Sequence, residues 1–269
     1  MTSEALDCHY SITGSGPSIF LTHGVGAAED AWRFITPKLS ENFTVITYDL
    51  RGHGRSPVTH KNFGLEELVL DLERVREKAN IDKGHFIGHS LGGMIAPAYA
   101  KKYPDKVLSV GMLSTVAGRS DDDTKKVWSV IKEMEENGVE KTLEKLITRW
   151  FTDEFIANNS ELVTRRLKQV VDTDPDVFLN VFRIYAKTEM ISWLKELITE
   201  ATGRMTIALT GKENFRKDVS PLYKANRRNT RKPVCLKSAR QHMIDNYDVR
   251  IYENIEADDV LSMFASDDT

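Results

Sequence analysis

Up to Leu113, short apolar runs alternate with clusters of turn-forming residues. Ser18-Ile19-Phe20-Leu21-Thr22 and Thr44-Val45-Ile46-Thr47-Tyr48 are rich in β-branched and aromatic residues and predict buried strands. Gly-Ser-Gly-Pro at 14–17 supplies turn chemistry just ahead of the first. Leu65, Leu68, Leu70, Leu72 and Val75 then stand among charges and approximate a helix over 65–80 with one apolar stripe. His85-Phe86-Ile87 predicts the next strand, which runs straight into the glycine-rich turn 88–93. A helix over 94–103, stopped by Pro104, and a strand over 107–113 follow. This rhythm of strand, turn, helix and strand predicts a mostly parallel sheet with helices on its faces.

From about Ser120 to Glu200 helical periodicity takes over. Val127, Trp128, Ile131 and Met134 fall at helix spacing, as do Leu143, Leu146, Ile147 and Trp150, with Gly138 and Pro175 as punctuation. The pattern predicts a helical insertion of a size suited to a lid. The expected organisation is an α/β core from 1–118 and 202–269 and a helical cap over 119–201. Strands at 205–209 and 233–236 and a terminal helix over 260–265 complete the expectation.

Composition narrows the class. At 269 residues and 41% hydrophobic content the chain supports one large core. A net charge of -3 provides no electrostatic footprint for nucleic acid or acidic membranes. The basic crowding at Lys224, Arg227, Arg228, Arg231 and Lys232 lacks interleaved aromatics and reads as solvated surface. Cys8 and Cys235 are too few for a disulfide framework or a four-ligand zinc site. The opening residues lack the basic and apolar regions of a secretory signal, and no apolar run has the length of a membrane span. The expectation is a soluble, cytoplasmic chain.

Gly88-His89-Ser90-Leu91-Gly92 carries the chemistry. A G-x-S-x-G sequence between strand and helix predicts a nucleophile elbow, in which strained backbone lifts the serine hydroxyl to a helix N-terminus. A serine nucleophile needs a base. Of the seven histidines only His242 lies after Ser90, and the order serine, acid, histidine goes with this turn, so His242 is the expected base. An oxyanion hole needs two backbone donors. The Leu91 amide is one, and Val25, between Gly24 and Gly26 in the loop after Phe20-Leu21-Thr22, is the other. His23 reads as pinning that loop. Asp49 and Arg51 read as tying down the glycine turn 52–54.

Thr22-His23-Gly24-Val25-Gly26-Ala27, Asp49-Leu50-Arg51-Gly52-His53-Gly54 and Phe86 to Met94 together resemble the α/β-hydrolase superfamily. More narrowly, they are similar to the branch of 3-oxoadipate enol-lactonases and related carboxylesterases, which Arg149-Trp150-Phe151-Thr152 also resembles. The resemblance implies an α/β-hydrolase fold, a mostly parallel sheet with helices on both faces and a helical lid insertion. It implies hydrolysis of a small ester or lactone, without metal or cofactor. Trp128, Trp150 and Phe151 are expected to line an apolar substrate site, and a lid cation, Arg149 or Arg183, to meet a substrate carboxylate. Epoxide hydrolases and haloalkane dehalogenases are disfavoured, because they need aspartate where Ser90 stands.

The resemblance also exposes a departure. Where the family carries its acid, this chain reads Thr210-Gly211-Lys212-Glu213-Asn214. An amide in place of the acid costs a serine protease about 10⁴-fold in turnover, or roughly 5 kcal/mol. Asp218 is the first alternative acid, then Glu213, then Asp121 to Asp123. Otherwise Asn214 itself orients the histidine. The alternative functions are a C–C bond hydrolase or perhydrolase on the same serine machinery, and a degenerate hydrolase that binds a ligand in the manner of a receptor.

Overall fold

The computed structural model describes residues 4–116, 119–200, 206–214 and 248–254, with backbone alone for 144–149, 195, 198–200 and the last two stretches. The chain opens with β1 (Tyr10–Thr13) and β2 (Ser18–Thr22), a 3-10 turn at Glu29–Trp32, and the short α1 (Thr36–Leu39). There follow β3 (Thr44–Tyr48), α2 (Leu65–Lys78), β4 (Gly84–His89), α3 (Gly92–Lys102) and β5 (Val107–Leu113). The sheet order is β1-β3-β2-β4-β5. β2 to β5 run parallel, and β1 lies antiparallel to β3. The sequence pattern did not single out β1, whose four residues are too few to display an alternation.

Successive residues of a strand face opposite sides of the sheet. Ile19 and Leu21 accordingly pack with Trp32 and Val45 on one side. Phe20 stacks on Phe86 on the other, ring centres 4.7 Å apart, in the cluster that holds Leu68, Leu72 and Ile95. Apolar layers on both faces explain why β2 and β3 read as continuous buried runs. On α2 the buried apolar stripe is Leu68, Val69, Leu72 and Val75, with Leu65 and Leu70 only half-buried. Helix α3 stops at Lys102 because Tyr103 precedes Pro104 and leaves the helical region, at φ -130° and ψ 58°.

After β5 come α4 (Asp121–Asn137), α5 (Val139–Trp150), α6 (Asp153–Asn158), α7 (Ser160–Asp172), α8 (Pro175–Lys187) and α9 (Ile191–Glu200). Gly138, at φ 86°, separates α4 from α5. Asp174 caps α8, accepting from the amides of Asp176 and Val177, and Pro175 sits in its first turn. Among the described residues no helix is long and apolar enough to cross a membrane.

The chain forms two compact units, Met1–Ile147 with Glu161–Leu194, and Thr148–Ser160 with Lys195–Thr269. The first contains the five-stranded sheet. In the second, β6 (Thr206–Asn214) pairs in parallel with β7 (Asp248–Asn254). Two expectations change here. The strand expected to end at residue 209 continues to Asn214, through a register irregularity between Thr210 and Asn214. Residues 248–254, where no element was expected, form β7, because Val249, Ile251 and Tyr252 supply β-formers opposite Ile207 to Thr210. The strand expected at 233–236 and the helix at 260–265 lie outside the described residues.

Candidate functional site

Strand β4 turns into α3 within two residues, and Ser90 occupies the turn at φ 54°. A positive φ in a non-glycine residue costs of order 1–3 kcal/mol and persists only where the surroundings impose it. Here the Ser90 amide donates to the Leu113 carbonyl at 2.9 Å, and the Thr115 hydroxyl donates to the Ser90 carbonyl at 2.7 Å. The flanking glycines are sterically required. A Cβ on Gly88 would collide with the Gly92 carbonyl, and one on Gly92 with the carbonyl of Thr22. Strand, turn and helix thus meet at backbone contact, which is why the pattern demands glycine at both ends.

The loop after β2 comes up against this turn. A Cβ added to Gly24 would stand 3.0 Å from the Ser90 Cβ. His23, fully buried, holds the loop. Its Nε2 accepts from the Leu50 amide at 3.0 Å, so its Nδ1 carries the proton and donates to the Gly24 carbonyl at 2.7 Å. Burial, with the nearby His53, pulls His23 down to about 3, so it stays neutral and both nitrogens are committed. His53 is pulled down to about 4 by the same desolvation, donates from Nδ1 to the Arg51 carbonyl at 3.0 Å, and sets its ring edge-on to His23 at 5.4 Å. Neither the Val25 nor the Leu91 amide has an acceptor among the described residues.

Asp49 ties the next loop: one carboxylate oxygen accepts from the Glu29 amide at 2.7 Å, the other from the Arg55 amide at 3.0 Å. Arg51 serves a different end from the one expected. It forms a bidentate pair with Asp71 of α2 at 2.6 and 2.7 Å and donates to the carbonyls of Glu4 and Glu67.

Helix α8 reaches Ser90, and α7 the loop beside it. The Tyr185 hydroxyl lies 3.2 Å from Ser90 Oγ and is buried, which lifts the phenol to about 12. The Arg119 guanidinium sits 5.6 Å from the Tyr185 ring centre and donates to the Tyr185 carbonyl. Arg166 of α7 donates to the carbonyls of Val25, at 2.8 Å, and Gly26. Desolvation draws its guanidinium down to about 10, still cationic at neutral pH. The two helices are anchored at several points. Asn180 Nδ2 donates to the Phe63 carbonyl at 2.7 Å, Lys61 bridges Asp174 and Asp176 at 2.8 and 2.9 Å, and Gln169 donates to Asp30 at 2.6 Å.

Tyr185, Arg166 and Arg119 were not among the candidates read from the sequence. Tyr185 follows Phe178 and Phe182 at near-helical spacing and looks like core packing; nothing local distinguishes it. Of the expected substrate residues, Trp128 lies on α4 and is 41% exposed. Trp150 and Phe151 belong to the second unit, where Phe151 stacks on Phe155 at 5.2 Å. Arg183 is engaged by Glu135 at 2.7 Å, and the Arg149 side chain lies outside the described residues. Asp121 to Asp123 form the first turn of α4, with Asp122 paired to Lys125 and Asp123 to Lys126. Asn214 ends β6, opposite Asn254. His242 and Asp218 lie outside the described residues.

This sheet, turn and loop define a class. Residues 17–184, more than half of the chain, match the family model for the alpha/beta hydrolase fold, and the chain belongs to that family. Among its curated relatives, 3-oxoadipate enol-lactonase 1 of Acinetobacter baylyi is 29% identical over 177 residues, covering 65% of each chain. Fluoroacetate dehalogenase of a Burkholderia species is 32% identical over 110 residues, or 39% of this chain and 36% of the relative. The chain thus matches less than two thirds of the length of these relatives. The enol-lactonase from Burkholderia xenovorans LB400 superimposes with a TM-score of 0.73 at 19% identity, over 98% of both chains. A thermophilic esterase from Thermogutta terrifontis gives 0.71 at 19% identity, over 96% of this chain and 90% of its own. At such identities the likeness is one of fold.

Proposed function

We propose that this α/β hydrolase cleaves a small carboxylic ester or lactone through an acyl-enzyme on Ser90. The observation that supports the reading best is the strained Ser90 turn, held against Gly24 with the Val25 and Leu91 amides left without acceptors. In the proposed scheme Ser90 Oγ attacks the carbonyl carbon as His242 takes the hydroxyl proton, and the carbonyl π pair moves to oxygen. The amides of Val25 and Leu91 stabilise that oxyanion. The tetrahedral centre then collapses, the bond to the leaving oxygen breaks, and His242 returns the proton to it. Water, deprotonated by His242, releases the acyl group in the same manner. The scheme uses side chains, backbone amides and water alone, and we place it in the cytoplasm.

An active-site-directed fluorophosphonate tests the reading. Wild-type protein should be labelled and Ser90→Ala should not; an unlabelled wild type overturns the proposal. Turnover of p-nitrophenyl acetate should vanish in both Ser90→Ala and His242→Ala.

Asn214 at the family's acid position favours one second reading, a ligand-binding protein that has lost strong turnover. Saturable binding of a small ester without hydrolysis is its signature.

A further inference from the structure

We propose that Tyr185 is a catalytic residue, a phenolic donor that gives up Ser90 Oγ when substrate binds and donates instead to the oxygen that leaves. The proposal rests on the reading of Ser90 as nucleophile. Its geometric basis is the 3.2 Å separation between the Tyr185 hydroxyl and Ser90 Oγ. Once the bond from Oγ to the acyl carbon has formed, the leaving oxygen is two bonds from Oγ and within reach of a hydroxyl so placed. The Val25 and Leu91 amides come from the core loops, whereas Tyr185 comes from α8, so the donors arrive from separate elements.

A buried tyrosine also needs a partner simply for stability, and any hydroxyl would serve. The anchoring of α8 argues for more. The helix is already held by Asn180 to Phe63, by the Lys61 bridge to Asp174 and Asp176, and by Phe178 in the core cluster. Arg119 claims the Tyr185 carbonyl and ring face. Ser90 is the hydroxyl's hydrogen-bond partner among the described residues. The ring is thus fixed without that contact, and its hydroxyl is spent on the reacting atom.

The burial that lifts the phenol to about 12 keeps it protonated at working pH, so it acts as a donor throughout. The step balances without proton loss from Tyr185. The Oγ–C bond forms, the bond from carbon to the leaving oxygen breaks, and that oxygen takes the electron pair and the proton carried by His242. Tyr185 contributes a hydrogen bond to the developing charge. In deacylation Oγ is itself the leaving atom, and the bond returns to it.

The effect should depend on the leaving group. An alkoxide needs a donor, whereas p-nitrophenolate leaves unaided. With Tyr185→Phe, kcat/KM for ethyl butyrate should fall about 10- to 100-fold, with p-nitrophenyl butyrate changed less than about 3-fold. Equal losses on both esters, or none on either, overturn the proposal, since a packing role cannot tell one leaving group from another. Should the variant fold poorly, 3-fluorotyrosine at position 185 keeps the packing and makes the donor more acidic. It should raise the ratio of ethyl to p-nitrophenyl kcat/KM, and an unchanged or lowered ratio overturns the role. Fluorophosphonate labelling at Ser90 in the same samples separates the two ideas. A labelled enzyme with an unchanged ratio sinks the Tyr185 role alone, whereas an unlabelled wild type removes the Ser90 reading and this one with it.

Discussion

Arg166 on α7 donates to the Val25 carbonyl at 2.8 Å and also to the carbonyl of Gly26, so a cation from the helical region grips the loop that borders Ser90. Both carbonyls follow, in the same short loop, the Val25 amide that the proposed chemistry uses. Arg166 therefore links α7 to the geometry of the proposed oxyanion hole. Removing it leaves two carbonyls without their charged donor, a loss of about 1.5–3 kcal/mol for a charge-assisted bond. Arg166→Met should lower stability by about that amount in urea denaturation. It should also reduce kcat for p-nitrophenyl acetate about 10-fold or more, since small misplacements of a catalytic group are costly. Unchanged kcat would show that the grip is structural only.

A methyl group on Gly24 would stand 3.0 Å from the Ser90 Cβ, so the turn or the loop must give by a few tenths of an ångström to admit it. His23 ties the loop to Leu50 and so resists that movement. Gly24→Ala should cost about 1–3 kcal/mol as overpacking. Its larger effect should be on turnover, with fluorophosphonate labelling of Ser90 slowed at least about 10-fold by the displaced turn.

Buried neutral histidines make stability depend on pH. His23 and His53 titrate near 3 and 4 in the folded chain, below the ordinary 6.5, because desolvation penalises the imidazolium. Between those values and 6.5 the unfolded chain binds more protons than the folded one. The stability these groups contribute is therefore fully present above pH 6.5 and lost as pH falls toward 4. Each histidine should remove about 1.4 kcal/mol per pH unit across that window. Urea midpoints at pH 7, 5.5 and 4.5 should show a shallower decline in His53→Gln than in wild type.

Arg51 and Asp71 form a bidentate pair with side chains 3% and 0% exposed. Breaking one partner strands the other's charge in the core, which costs about 3–5 kcal/mol. Asp71→Ala should lose that much by denaturant unfolding. The double variant Arg51→Met, Asp71→Leu should lose clearly less than the two singles summed.

Asn214 stands where the resemblance places an acid. If the histidine of the proposed scheme lacks a carboxylate, supplying one should fix its tautomer and stabilise its charged form. Asn214→Asp should raise kcat at least about 10-fold, within the range of about 10⁴ that the reverse change costs a serine protease. No gain would point to another carboxylate, Asp218 first.

Legibility in the sequence tracked the range of the forces involved. The β2, β3, β4 and β5 strands, the α2 stripe and the Ser90 turn were readable because periodicity and glycine spacing are local consequences of backbone geometry. Asp49 ties its turn as expected through the Arg55 amide, six residues on. The Arg51 pairing was not readable, because its partner Asp71 lies on a helix whose packing no short-range rule reveals. The end of β6 and the whole of β7 were missed for a related reason: strand pairing between 206–214 and 248–254 is non-local.

By itself, then, the sequence determined an alternating α/β chain, a serine on a glycine-flanked turn and a loop of glycines able to approach it. Those features depend on steric limits that adjacent residues impose on one another. Tertiary structure alone decided what closes over the serine. Tyr185, Arg119 and Arg166 sit on segments far from Ser90 in the chain, and nothing in their own neighbourhoods marks them. Tyr185 meets the serine, and Arg166 the loop beside it, because α7 and α8 pack Val170 and Phe178 against Gly26 and Val177 against Gly52, and burial has no sequence period that names its partner.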